Sequence, residues 1–129
     1  MRLLVDTQLL LWAAAQPHKL PGRAADLMNS DSSDLHYSVA CLWEITMKNG
    51  ANRPDFQVDT ERLRDGLRKV GFRELAIEAE HVLLVLPSYH RDTFDRIMVA
   101  QAGVEGLALL TADATLSRYK DHAEIVVVR

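Results

Sequence analysis

Four acids each interrupt an apolar stretch of the chain: Asp6, Glu44, Asp95 and Asp113. Asp6 ends Leu3-Leu4-Val5. Glu44 sits inside Cys41-Leu42-Trp43-Glu44-Ile45. Asp95 precedes Ile97-Met98-Val99-Ala100, and Asp113 follows Leu109-Leu110-Thr111-Ala112. An acid at the edge of a core is costly unless something pairs with it. If the four converge, each close pair at about 4 Å repels by roughly 4 kcal/mol at an effective dielectric of about 20. A shared divalent cation removes that repulsion. Oxygen-only ligands suit Mg²⁺ or Mn²⁺ rather than Zn²⁺. The chemistry these residues suggest is metal-dependent hydrolysis.

Simpler roles compete at each position. Asp6, Asp92 and Asp113 can each be a helix N-cap. Asp95 can be the third-position acid of a helix capped by Asp92. Capping does not explain Glu44, one turn inside a helix beside Trp43 and Ile45, although a single buried salt bridge would. The joint placement of all four favours a site. The histidines at 18, 36, 81, 90 and 122 show no paired metal spacing and no His-Glu-x-x-His pattern. Most read as surface residues, and His90 stands just before Asp92 and Asp95. There is no Walker-type glycine loop and no arguable Ser-His-Asp set.

These residues need elements to carry them. The chain alternates short β-like runs with helical patterns. Residues 2–5 read as a buried strand and 7–15 as an apolar helix. Pro17 and Pro21 mark a break before a short helix over 22–29. A polar loop through 29–34 leads to a strand at 35–38 and a helix over about 39–49. Asn49-Gly50 ends that helix, and Asn52-Arg53-Pro54-Asp55 continues as loop. Thr60 starts a helix whose face is Leu63, Leu67 and Val70, ended by Gly71. Residues 72–77 are extended, 78–86 helical, and Pro87 is a break. A helix over 92–105 stops at Gly106. A strand at 107–111, a short helix at 113–119 and a strand at 124–128 complete the series. Strands separated by helices predict an α/β fold with a mainly parallel sheet. In such sheets ligands bind beyond the carboxyl ends of the strands. Asp6 and Asp113 fall at that edge, and Glu44 and Asp95 on helices that begin near it.

The 129 residues suggest one compact domain spanning 1–129. The longest apolar run, Leu9 to Ala15, is too short to cross a bilayer. The N-terminus runs straight into a strand, leaving no room for a signal peptide. A lone Cys41 allows no internal disulfide and fits a cytoplasmic setting. A net charge of −3 argues against nucleic-acid binding by bulk electrostatics, but bound metal reverses the local charge of an acid cluster. The group Arg62, Arg64, Arg68, Lys69 and Arg73 reads as a solvated helix face.

The segments Leu4-Val5-Asp6-Thr7, Leu42-Trp43-Glu44-Ile45, His90-Arg91-Asp92-Thr93-Phe94-Asp95-Arg96 and Leu110-Thr111-Ala112-Asp113 resemble the motifs of PIN-domain ribonucleases. The likeness is greatest to VapC-type toxins of type II toxin–antitoxin systems, in order, spacing and length. The resemblance implies a three-layer α/β/α sandwich with a central, mainly parallel sheet. It implies catalytic and metal-holding roles for Asp6, Glu44, Asp95 and Asp113, with Thr7 and Thr111 as flanking hydroxyls and Asp92 as an auxiliary acid. Gln8 stands where related sequences often carry His or Asn. The implied activity is Mg²⁺- or Mn²⁺-dependent hydrolysis of RNA phosphodiesters. The implied partners are RNA, a cognate antitoxin and a second copy in a homodimer; the apolar helix at 9–15 offers either a dimer face or, at least equally, a face for the chain's own core. An acidic pocket in a negatively charged chain also suggests an antitoxin that inserts a basic side chain, most naturally Arg.

Other classes stay open at this level. An aspartyl phosphatase wants a second aspartate two residues after the first, where this chain has Gln8. A two-component receiver domain wants adjacent acids after the first strand. A non-catalytic RNA- or partner-binding module of the same fold needs none of the four acids.

Overall fold

The computed structural model describes residues 1–51, 57–89 and 92–129. The predicted loop through Asn52 and Asp55 lies outside these, as do His90 and Arg91. Strand β1 (Arg2–Val5) leads to helices α1 (Thr7–Ala15) and α2 (Gly22–Asn29). Strand β2 (Asp34–Ser38) is followed by α3 (Val39–Gly50) and α4 (Thr60–Lys69). Strand β3 (Arg73–Leu75) precedes α5 (Ala79–Leu83) and α6 (Thr93–Glu105), and the chain ends with β4 (Ala108–Thr111) and β5 (Glu124–Val127).

The five strands form one sheet in the order β3-β2-β1-β4-β5, every pair parallel. This is the α/β sheet the alternation predicts. The chain winds outward from β1 to β3, then returns to the other side of β1 for β4 and β5. Right-handed crossovers in opposite directions place their helices on opposite faces. The reversal makes the β1–β4 junction a topological switch point, where such sheets leave a crevice at their carboxyl edge. Register aligns Val5 with Leu110, so Asp6 and Thr111 emerge side by side. The Asp6 N–H continues the ladder by donating to the Leu110 carbonyl at 2.9 Å.

The central strands carry no alternation because both faces are covered. Leu3, Leu4, Val5, Leu109 and Leu110 are fully buried. In α3, Ala40, Cys41, Glu44 and Ile45 are buried. Helix α6 buries Met98 through Ala102. A polar contact runs through this core: Ser38 Oγ donates to Gln101 Oε1 at 2.6 Å, and Gln101 Nε2 donates to the Ala76 carbonyl at 3.2 Å. It ties the start of α3 to the middle of α6.

Several expectations change. The predicted helix over 78–86 stops at Leu83, with Leu84 extended. Residues 82–86 are uninterrupted apolar residues with no helical period, and Val82 to Val85 are exposed. The segment predicted as a helix at 113–119 is a 3-10 turn at Ala114–Tyr119, and Ser117 Oγ donates back to the Ala114 carbonyl at 2.7 Å. A further 3-10 turn forms at Pro17–Lys19, with Pro17 at its first position. Val70 falls at the C-cap of α4 and is exposed, so only Leu63 and Leu67 of the predicted face turn inward. His36 and His81 are buried rather than on the surface. His81 Nδ1 accepts the Glu78 N–H at 2.9 Å, which leaves its proton on Nε2, 3.0 Å from Glu105 Oε1.

Gly106 ends α6 in the left-handed region at φ 67°. Gly103 is required for a different reason. A Cβ there would stand 2.5 Å from the His122 carbonyl oxygen, which is backbone and cannot swing aside. Gly→Ala inside a helix ordinarily stabilises by about 1 kcal/mol. Here the sign should reverse: Gly103→Ala is expected to cost roughly 1–3 kcal/mol, as overpacking does. Urea unfolding checks this, and a variant as stable as the wild type would refute the close packing.

Candidate metal and hydrolase site

Asp6 stands directly beyond β1 and is 7% exposed. Its two oxygens have separate partners. Oδ1 accepts the Thr7 N–H at 2.7 Å, and Oδ2 accepts the Thr111 hydroxyl at 2.7 Å. Thr111 Oγ in turn accepts the Asp113 N–H at 3.0 Å. This chain of bonds fixes Asp6 against the end of β4 and sets the turn that presents Asp113. The Asp113 Oδ1 accepts from both Thr115 N, at 2.9 Å, and Thr115 Oγ, at 2.6 Å.

Burial raises the Asp6 carboxyl above its ordinary value. The bonds from Thr111 and Thr7 act against that rise, while the charges of Glu44 and Asp113 add to it. Those charges act on Asp6 because Glu44 and Asp113 line the same cleft.

Glu44 reaches the same place from α3 and is 6% exposed. Its Oε2 pairs with Lys48 Nζ at 2.9 Å, one turn on. Its Oε1 is buried without a hydrogen-bond partner. An unsatisfied buried carboxylate oxygen is costly, and here it borders a cleft. Asp92 caps α6, accepting Phe94 N at 2.9 Å and Asp95 N at 3.2 Å. That cap places Asp95 in the first turn. Trp43 meets Phe94 edge-on, with ring centroids 4.8 Å apart and planes at 85°. The contact brings the Glu44 turn of α3 against the start of α6.

Asp6, Thr7, Gln8, Leu11, Glu44, Lys48, Asp92, Asp95 and Asp113 line one cleft of about 180 Å³. All four acids singled out by sequence therefore share one cleft. Thr111 supports it from behind Asp6. The capping roles also hold, for Asp6, Asp92 and Asp113, and so does the buried salt bridge of Glu44. Among the described residues, no three or more His, Cys, Asp or Glu groups close into a ready ligand cluster. Asp6, Asp92, Asp113 and Glu44 hold partners of their own, and like charges keep apart. The donors fit a hard divalent cation nonetheless: they are all carboxylate oxygens, and Glu44 Oε1 is buried and unpartnered beside them.

Lys48 went unnoticed in the sequence. Its position, four residues after Glu44, was the available signal. The lone thiol offers no second chemistry. Cys41 is fully buried, and burial pushes it up to about 12, so it holds no thiolate at neutral pH.

The described helices include none long and apolar enough to cross a membrane. Solved structures similar in fold over the whole chain include VapBC2 from Rickettsia felis bound to a promoter DNA fragment. It is 12% identical, with TM-score 0.68 and complete coverage of both chains. DNA-bound VapBC from Salmonella typhimurium is 13% identical, with TM-score 0.61 and 98% of each chain covered. VapBC-5 of Mycobacterium tuberculosis, described as a member of the VapBC family of toxin–antitoxin systems, is 16% identical, with TM-score 0.63 and 99% and 98% covered. No curated protein matches the chain. The family model for the PIN domain matches residues 3–121, a span that contains every acid of the cleft, and the chain belongs to the PIN domain family.

Proposed function

We propose that this chain is a divalent-cation-dependent endoribonuclease that acts as the toxin of a toxin–antitoxin pair. One observation carries the reading: Asp6, Glu44, Asp95 and Asp113 line a single cleft at the switch point of a parallel sheet. The family supports a nuclease, and the likeness to VapBC structures supports a cognate antitoxin partner. RNA as substrate and a homodimer follow from the motif resemblance.

Asp6, Glu44, Asp95 and Asp113 would hold Mg²⁺ or Mn²⁺. When bound, the cation supplies Lewis acidity at the scissile phosphate and at an attacking water. The chain's part is chiefly positional. Thr7 and Thr111 hold both oxygens of Asp6, so its orientation is fixed before substrate arrives. Glu44 reaches the cleft from α3 with Oε1 unpartnered. A cleft carboxylate takes the proton of the attacking water, as a general base must. Asp92 keeps α6 started at the right residue and so keeps Asp95 at the cleft. No step requires a 2′-hydroxyl, so preference for RNA has to come from groove shape.

Asp6→Asn or Asp95→Asn should lower RNA cleavage by roughly 10²-fold or more, on the scale of losing a pre-organised electrostatic group. Chelator should abolish wild-type cleavage, and Mg²⁺ or Mn²⁺ should restore it. Undiminished cleavage in chelator would overturn the metal-dependent reading. RNA bound but never cut would favour the non-catalytic module instead.

The same substitution should raise stability. A carboxyl whose folded value is raised costs nothing below its ordinary 3.8, where both states are protonated. Its cost grows as pH rises through the raised value and is complete above it. Asn can still accept from Thr7 and can donate to Thr111. In chelator, Asp6→Asn should therefore melt above the wild type at pH 7, with the gain vanishing in acid. An equal or lower melting temperature at pH 7 would show that the carboxylate is not strained by burial.

An antitoxin that inhibits by seating Arg among these acids should lose inhibition when its basic residues are changed to Ala. Co-purification with the neighbouring gene product and a cleavage assay check this. Full inhibition by the Ala variants would exclude charge substitution in the cleft.

A further inference from the structure

Five carboxylates line the cleft, and among the described residues lining it Lys48 alone is basic. With every group in its usual charged form, four net negative charges remain. One divalent cation halves that number and still leaves the cleft repelling an approaching phosphate. Lys48, already counted in that balance, is the positive group among the described lining residues that can meet a phosphate there.

We infer that Lys48 is a phosphate-binding residue that exchanges partners, holding Glu44 until a divalent cation claims that carboxylate and then turning to the substrate phosphate. The inference rests on the nuclease reading above. Two observations and one physical argument support it. The ion pair is asymmetric: the Glu44 side chain is 8% exposed and the Lys48 side chain 42%. The acid is therefore built into the wall, while the ammonium stands on a flexible stem near solvent. Next, Lys48 does not complete Glu44, because Oε1 remains buried with no hydrogen-bond partner. Last, a divalent cation carries twice the charge of the ammonium, so at the same carboxylate it competes with Lys48 by Coulomb attraction. Four methylenes give the Lys48 ammonium reach within the cleft from a fixed base on α3.

Lys48→Gln and Lys48→Met test the inference, with Lys48→Arg as the conservative control. Gln can still donate a hydrogen bond to Glu44, so it protects against a variant that fails to fold, and melting curves in chelator confirm folding. Calorimetric titration of metal-free protein with Mn²⁺ reads the competition directly. The neutral variants should bind Mn²⁺ roughly five- to thirtyfold more tightly, the aqueous limit for removing one unit charge about 4 Å from a divalent cation. At saturating Mn²⁺, KM for RNA should rise several-fold while kcat changes less. The dependence of log(kcat/KM) on log salt should become shallower by about 0.7, one phosphate contact on a single strand. Lys48→Arg should restore that slope.

Mn²⁺ affinity unchanged in both neutral variants overturns the partner exchange. An unchanged salt slope overturns the phosphate role. Wild-type protein that binds Mn²⁺ but cleaves no RNA rejects the nuclease reading alone; tighter Mn²⁺ binding by Lys48→Gln would then still support the exchange at Glu44. Wild-type protein that binds no Mn²⁺ overturns both.

Discussion

The Asp6 carboxylate is the point from which the rest of the cleft is set. It is held at both oxygens, by the first amide of α1 and by the hydroxyl that ends β4. The second bond is possible only while β1 and β4 are neighbours in parallel register with Val5 beside Leu110. That neighbourhood requires the chain to leave β1 in one direction and return on its other side. The buried acid is thus both a consequence of the topology and a reason it tolerates few alternatives. A shift of one residue in this pairing would separate Asp6 from Thr111 and leave a nearly buried carboxylate with half its partners.

Cap and cleft roles proved compatible at the aspartates. A helix N-terminus offers free N–H groups and a favourable dipole, so a short acid there is stabilised without any ligand. Asp92 and Asp113 each spend one oxygen, Oδ1, on such bonds. The cleft is therefore assembled from groups that the fold already holds in place, which limits the stability lost by gathering like charges. Glu44 lies beyond the reach of any cap. It is held by Lys48 on one oxygen and is unsatisfied on the other.

Much of this was legible in the sequence because strong local signals coincided with the architecture. Strand ends at Val5 and Thr111, the Asp92 cap and the Gly106 stop all read correctly, and together they brought four distant acids to one edge. What was not legible depended on tertiary contacts. The 78–86 segment looks helical by composition, yet its run of apolar residues has no helical period and the helix stops at Leu83. His81 looked like a surface residue because nothing local shows that Glu105 and the Glu78 amide will enclose it. Lys48 was missed because a Glu–Lys pair one turn apart is ordinary on any exposed helix. Only the burial of Glu44 makes this pair unusual.

Charge counted over the whole chain does not describe the individual surfaces that carry it, and the structure explains why. The basic group between residues 62 and 73 is the obvious candidate for a phosphate-binding surface. Two of its members are already engaged. Arg64 makes paired bonds to Glu74 at 2.6 and 3.0 Å and holds that carboxyl below its usual range. Glu74 also accepts the Tyr37 hydroxyl at 2.8 Å, and burial with this neighbour pushes the phenol up to about 12. Arg73 lies 3.6 Å from Asp34. These bonds fasten α4 and β3 to β2, so part of the basic cluster serves the sheet's edge. The cleft inverts the relation: five acids give it a sign that opposes nucleic acid, yet they are the groups suited to gather cations against a phosphate. What matters at each place is whether a charge's partner lies within the protein or comes from outside it, and a net charge of −3 cannot report that distinction.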